Sequence, residues 1–349
     1  GDSGESEIFA IVGYLMRARQ QGAMNGHGPI LRKALETFLE DHGSSPVAAG
    51  VMFALAEDIR AQAASGTGRE LALQEALDVI DRILSHPKSG FYREPALLLE
   101  AEILLDELHR PAGALEALEG AEFRATDRAR EAERLIMRAL IEAERWEEAE
   151  LRFKLLSGDS DSVKAAVGRY GIGKMHFHRG EYGAALDSLS RFAERHPWSE
   201  YANDALETAM LVKEALVEDT APLDCYREAY VSLAQGWVGT AADSLDSFRQ
   251  LYPLSLMLPR VQFMRAEIYL ISGNSEAAAV LWMELAEGSP LHELAPRALE
   301  RVAGMAGAGE AAGLYEKIIE RYPDDPFIGR IRSRYIALRK SIEEDSGAN

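Results

Sequence analysis

The sequence predicts an all-α protein, an α-solenoid of about nine antiparallel helix pairs. Three observations predict it. Ala, Leu, Glu and Arg dominate the composition, whereas valine-rich alternating stretches are scarce. Helix breakers recur between segments with apolar 3- and 4-residue steps, which leaves room for roughly eighteen helices joined by short turns. A pattern of glycine, small, bulky and proline residues repeats along the second half of the chain.

Length and charge restrict the classes of function. The chain of 349 residues is longer than one ordinary domain, which indicates two domains or one elongated repeat array. Asp and Glu number 57 against 38 Lys and Arg, and the net charge of -19 disfavours nucleic acid and anionic membrane surfaces. The single cysteine, Cys225, excludes an internal disulfide and a cysteine-based zinc cluster. No apolar run is long enough to span a bilayer, and we expect neither a cofactor nor a metal.

Along the chain, residues 1–90 are predicted to form divergent helical repeats, with breakers at 43–46, 65–68 and 86–87. Residues 91–340 are predicted to form the main solenoid, and residues 341–349 a disordered tail. The stretch 96–105 is apolar around too much of its circumference for a surface helix, so we expect it to lie between neighbouring helices.

The repeat is clearest when the chain is aligned on four prolines, Pro197, Pro253, Pro290 and Pro323. Three positions recur before each proline. A glycine or alanine lies 17 residues before it, an alanine lies 12 residues before it, and a bulky apolar residue lies 8 residues before it. The alanine and bulky positions are Ala185 and Leu189, Ala241 and Leu245, Ala278 and Trp282, and Ala311 and Tyr315. The last three prolines are 37 and 33 residues apart, whereas the first two are 56 apart. The longer interval predicts about one inserted helix near 199–217.

Each position of the repeat has a physical reason. The glycine ends the first helix of a pair, where a left-handed residue is needed. The alanine lies where two helices approach too closely for a larger side chain, and the bulky residue fills the gap beside it. The proline ends the second helix. Each pair leaves an apolar face that only the next pair covers, so the pairs stack.

These residues resemble the tetratricopeptide repeats, with the best match at Gly173, Gly180, Tyr182, Ala185, Leu189 and Pro197. The joints at 196–202 and 322–327 are similar to those of bacterial cell-envelope repeat proteins of the outer-membrane-assembly and Tol–Pal-coordinator type. The resemblance implies a right-handed superhelix and a periplasmic or cell-envelope location, with a cytoplasmic location as the alternative. The polar start at Gly1 fits either a processed or a trimmed terminus. Because no N-terminal cysteine is present, we expect no acyl anchor on the chain as given.

Several motifs that could carry chemistry have better structural interpretations. The segment 168–174 matches GxxxxGK, but Met175 replaces the required Ser or Thr and the preceding residues indicate a helix, so we expect packing rather than nucleotide binding. Asp161 is expected to cap a helix rather than to begin a calcium loop. His176 and His178 are two positions apart and cannot share a metal on one helix face. Cys225 is expected to be a buried, inert thiol.

We therefore expect a non-enzymatic scaffold whose concave groove holds a partner protein or peptide, as one subunit of a larger complex. The first helix of each pair should line this groove, with Tyr170, Lys174, Phe177 and His178, then Tyr226, Arg227 and Tyr230, then Arg260, Phe263, Met264 and Glu267. The Lys and Asn pattern of a carboxylate clamp is absent from the sequence, which disfavours chaperone tails. The alternative function is a structural subunit that self-associates through its ends, with Tyr335, Ile336 and Leu338 as contacts.

Overall fold

The computed structural model describes residues 28–63, 68–217 and 219–347, and it confirms the all-α prediction with sequential helix packing. Within these ranges the chain has 17 α-helices, a 3₁₀ turn at Gly90–Tyr92 and a π-helical turn at Ile103–Glu107, and it has no strand. The described chain divides into two compact units. Unit 1 contains the residues up to Arg179 and Asp187–Ala205, and unit 2 contains Gly180–Leu186 and the residues from Leu206 onward.

Eight helices belong wholly to unit 1: α1 (Gly28–His42), α2 (Ala48–Ala63), α3 (Arg69–Ser85), α4 (Arg93–Glu102), α5 (Pro111–Leu118), α6 (Thr126–Glu142), α7 (Trp146–Ser157) and α8 (Ser162–His178). Helices α9 (Tyr182–Arg195) and α10 (Ala202–Ala215) contribute residues to both units. Unit 2 continues with α11 (Thr220–Ala234), α12 (Val238–Leu251), α13 (Leu258–Ile271), α14 (Ser275–Gly288), α15 (Leu294–Met305), α16 (Ala308–Arg321) and α17 (Ile328–Gly347). The division of the chain at residues 90 and 340 stays a prediction.

Packing within each unit follows chain order, as the stacked-pair prediction requires. In unit 1 each helix from α1 to α7 packs against the next, and α6 also contacts both α4 and α8. In unit 2 each helix from α11 to α16 packs against the next, and α13 also contacts α15. Contact between every second helix is what stacked helix pairs produce, because the first helix of one pair covers the first helix of its neighbour.

The burial pattern confirms the repeat positions. The four alanines and four bulky residues are all buried, with exposed fractions between 0% and 7%. Gly180, Gly236 and Gly273 follow the first helices with φ values of 76°, 76° and 80°, the left-handed conformation that ends a helix at little cost in glycine. At the fourth repeat Ala306 takes this place and is extended instead, with φ -80° and ψ 159°. An L-residue with a side chain thus ends that helix without entering the left-handed region.

Six joints between helices share one hydrogen-bond pattern. They begin at His42, His86, His196, Tyr252, Ser289 and Tyr322. In each joint two hydrogen bonds follow one another along the backbone, at 2.7–3.2 Å. In the joint that begins at His196, for example, the Ser199 N–H donates to the His196 carbonyl, and the Ala202 N–H donates to the Ser199 carbonyl. In five joints the side chain of that middle residue also accepts the N–H two positions on: Ser45, Ser199, Ser255, His292 and Asp325. A polar residue therefore satisfies the N–H groups that begin the following helix.

The apolar stretch 96–105 lies in the core of unit 1, as its composition predicts. Eight of its ten residues are buried: Ala96, Leu97, Leu98, Leu99, Ala101, Ile103, Leu104 and Leu105. The π-helical turn begins inside this stretch, and the Leu108 N–H donates to the Ile103 carbonyl at 3.0 Å. Arg138 of α6 reaches the same turn, where its Nη1 lies 2.8 Å from Asp106 Oδ1.

Glu142, at the end of α6, provides a test of this charged network. Its side chain is 12% exposed and pairs with Arg138 at 3.4 Å, and burial raises the pKa of its carboxyl to about 6. Since the native state holds this proton more tightly than the unfolded state, stability is lost as pH rises from about 4.5 to about 6.

We expect Glu142→Gln to remove this loss and to stabilise the protein by about 1–2 kcal/mol at neutral pH, measured by urea unfolding. The control is Glu147→Gln on the exposed surface of α7, which should leave the pH dependence of stability unchanged. If the free energy of unfolding of Glu142→Gln varied with pH in the same way as that of the wild type, the prediction would be wrong.

Across the described ranges, none of the helices has both the length and the apolar character needed to cross a bilayer.

Candidate functional site: a groove in unit 2

The four predicted groove residues of α8 lie in unit 1 and are buried. Their exposed fractions are between 1% and 8%: Tyr170, Lys174, Phe177 and His178. Tyr170 stacks on Tyr201 with ring centroids 4.7 Å apart, and its hydroxyl donates to Asp204. The Lys174 ammonium lies 3.4 Å from the same carboxylate. Tyr170 and Lys174 therefore join α8 to the residues around the start of α10, and all four side chains present little surface to a partner.

The three predicted residues of α11, Tyr226, Arg227 and Tyr230, are half-buried in unit 2. Arg227 Nε donates to the Tyr182 hydroxyl at 3.2 Å, and that hydroxyl donates to Asp224 at 2.6 Å. Burial, together with the hydrogen bond to Asp224, raises the pKa of Tyr182, so the phenol stays protonated. Arg227 thus holds the tyrosine that begins α9 in place.

The predicted residues of α13 have different environments. Arg260 is 8% exposed, and its guanidinium pairs with Glu214 of α10 at 2.7 Å and with Glu293 at 2.5 Å. Met264 is buried, whereas Phe263 and Glu267 are half-buried. Arg260 and Met264 therefore have structural positions, and Phe263 and Glu267 remain accessible.

Phe263 lines an open groove within unit 2, with a volume of about 550 Å³, which we call the unit 2 groove. Its walls come from α13, α15 and α17, with Trp282 of α14, Phe327 of the last joint and Glu207 of α10. Helices α13, α15 and α17 each follow a joint, so they occupy the first-helix position in the repeat. This position is the one from which the sequence predicts a binding surface.

The floor of the groove is apolar. Phe263 and Trp282 contact each other with ring centroids 6.1 Å apart, and Leu270 and Met305 also line the cavity. Trp282 is fully buried, and its indole N–H has no acceptor among residues 28–63, 68–217 and 219–347. A buried N–H donor without an acceptor costs free energy that a hydrogen bond would recover.

Four arginines surround this floor. Arg330 and Arg334 of α17 both donate to Glu300, at 2.8 and 2.6 Å, and their side chains are 50% and 52% exposed. Arg301 is 53% exposed and pairs with Glu267 at 2.9 Å. Burial raises the pKa of Glu267, and the charge of Arg301 opposes that shift. The arginines therefore keep half of their surface open while carboxylates fix their positions.

The fourth arginine and an aromatic ring complete the wall. Arg297 of α15 donates to Glu207, and this hydrogen bond raises the pKa of its guanidinium. The Phe327 ring lies against two guanidinium groups, 5.3 Å from Arg297 and 4.9 Å from Arg330. Cation–π contacts of this length hold both cations and the ring in defined positions.

The groove residues predicted from the sequence do not include these four arginines, although the spacing of the arginines could have identified them. Arg297 and Arg301, and likewise Arg330 and Arg334, are four residues apart on helices at the first-helix position. Residues with this spacing share one helix face. Two such arginine pairs on successive first helices would have indicated a basic surface in an otherwise acidic chain.

The motifs set aside in the sequence have structural positions. The GxxxxGK segment lies inside α8, and a Cβ on Gly173 would lie 2.5 Å from Leu189 Cδ2, which confirms the packing interpretation. Asp161 accepts the N–H groups of Val163 and Lys164 at 2.9 and 3.4 Å, which confirms the helix cap.

The prediction for Cys225 was wrong in part, because its thiol is half-buried rather than buried. Its Sγ lies 3.5 Å from the Ser244 carbonyl of α12. Burial and the nearby Glu228 raise the pKa of the thiol, so little of it is thiolate at neutral pH.

No protein-family model matches the chain, and no curated protein matches it.

Proposed function

We propose that the chain is a non-enzymatic scaffold that holds a partner protein in the unit 2 groove. The observation that carries the proposal is the open groove of about 550 Å³, in which half-exposed arginines surround an aromatic floor. Aromatic and arginine side chains supply most of the binding energy in protein interfaces. Carboxylates and rings hold the arginines in place before binding, which lowers the entropy cost of association.

The proposal includes membership of the tetratricopeptide repeats and a place in a bacterial cell-envelope complex. The buried alanine and bulky positions and the joints with one hydrogen-bond pattern support the repeat character. The similarity of the joint residues at 196–202 to envelope repeat proteins supports the location.

Site-specific photo-crosslinking tests whether the groove holds a protein. A photoreactive residue replaces Met305, which lines the groove and is 38% exposed, in the full chain expressed in its native cell. The control position is Leu71 of α3, which is 79% exposed and lies in unit 1. We expect a discrete crosslinked protein from position 305 that position 71 does not capture. Identical products from the two positions, or none from position 305, would contradict the proposal.

The alternative is a structural subunit that associates through its last helix. Ile336 of α17 is 66% exposed, which favours this function, whereas Tyr335 and Leu338 pack partly against the core of unit 2. In the crosslinking experiment self-association would give products containing two copies of this chain. Sedimentation of Ile336→Ser beside the wild type would then show whether the last helix forms the contact.

A further inference from the structure

The arginines of the unit 2 groove indicate what kind of segment a partner would offer. We propose that this groove selects an acidic protein segment that carries a large apolar side chain between its carboxylates. The inference rests on the proposed function and specifies the chemistry of the partner.

The walls contain more positive than negative charge. Arg330 and Arg334 share the single carboxylate of Glu300, so this cluster has a surplus of one positive charge. The hydrogen bonds to Glu300 use one nitrogen of each guanidinium, and a guanidinium has five N–H donors. Half of each side chain faces solvent, so a carboxylate of an incoming segment can bind both arginines in charge-assisted hydrogen bonds.

The floor requires an apolar group beside those carboxylates. The accessible rings of the groove are Phe263 and Phe327, which are both half-buried, whereas Trp282 beside Phe263 is fully buried. A leucine or phenylalanine side chain would bury apolar surface on these rings.

Size and charge together favour a short acidic segment over an extended polyanion. A groove of about 550 Å³ holds a few side chains. The net charge of -19 repels a long polyanion or an anionic bilayer, whose charges extend far beyond the groove. A segment with a few carboxylates places them within contact distance of the arginines, where screening by salt is weakest.

The test uses three fluorescein-labelled synthetic peptides titrated with the full chain and followed by anisotropy. The first contains Asp and Glu around a Leu-Phe pair, the second replaces each carboxylate by its amide, and the third replaces the Leu-Phe pair by serines. We expect the acidic Leu-Phe peptide to bind at least about tenfold more tightly than either of the others. Its affinity should fall as salt rises from about 50 to about 300 mM.

Paired variants of one helix locate the binding. We expect Arg330→Gln with Arg334→Gln to weaken the acidic peptide about tenfold or more. The matched control, Arg332→Gln with Arg339→Gln, removes two exposed arginines of α17 that do not line the groove and should change affinity less than about twofold. Circular dichroism melting confirms that both double variants fold.

The outcomes separate this inference from the proposed function. Equal binding of acidic and amide peptides, an equal loss in the two double variants, or no binding of any peptide overturns the acidic selection. Equally tight binding of duplex DNA or of phosphatidylglycerol vesicles also overturns it. The crosslinking at position 305 is independent of these peptides, so a groove-specific protein product would leave the scaffold function standing.

Discussion

Replacing Trp282 by alanine is expected to destabilise the protein by about 3–5 kcal/mol, the usual cost of deleting a buried tryptophan. Trp282 is fully buried in the core of unit 2, and it occupies the bulky position of the third repeat, where it fills the space beside Ala278. Alanine at this position would leave a cavity between α14 and the helices packed against it, α13 and α15. The measurement is urea unfolding followed by circular dichroism at the helical band.

Trp198 provides the matched control for this substitution. Its side chain is 97% exposed in the joint after α9, so Trp198→Ala should change stability by no more than about 0.5 kcal/mol. Trp282→Phe keeps most of the buried volume and should cost less than the alanine variant. Similar losses for Trp282→Ala and Trp198→Ala would show that the repeat position does not identify the core.

The repeat positions could be predicted from sequence because each is determined by contacts within a local helix pair. Ala278 and Trp282 lie on one helix, four residues apart, and the helix that they cover precedes them directly in the chain. The spacing to the following proline then fixes the register, and all eight small and bulky positions are buried as expected. Local periodicity carries this information without any knowledge of distant contacts.

The groove could not be predicted to the same extent, because its charges depend on partners far apart in sequence. Arg297 pairs with Glu207 of α10, ninety positions earlier in the chain. Arg260 is predicted to be a surface anchor, but it is buried, and Glu214 of α10 and Glu293 compensate its charge. Such pairings decide whether a first-helix residue lies in the core or on the surface, and one helix's periodicity does not reveal them.

The same ambiguity explains why Tyr170 and Lys174 were expected in a groove. A helix packed on several sides has few polar faces, and its long polar side chains can reach a buried partner. Here Asp204 accepts the Tyr170 hydroxyl and pairs with Lys174, so both side chains are satisfied inside unit 1.

Gly168 gives the sharpest test of close helix packing, because a single methyl group there would meet backbone atoms. A Cβ at this position of α8 would lie 2.6 Å from the Ser157 nitrogen and 2.7 Å from the Phe153 carbonyl oxygen of α7. Backbone cannot move aside as a flexible side chain can, so the two helices would have to separate. We expect Gly168→Ala to destabilise the protein by about 2–3 kcal/mol in urea unfolding.

Gly313 of α16 is the control for that substitution, because nothing lies within 4 Å of a Cβ placed there. Alanine is the better helix former, so Gly313→Ala should stabilise the protein by about 0.5–1 kcal/mol. The same chemical change should thus have opposite signs at the two positions. Gly168 is also the first glycine of the GxxxxGK segment, and a stabilising Gly168→Ala would contradict the conclusion that this segment serves helix packing.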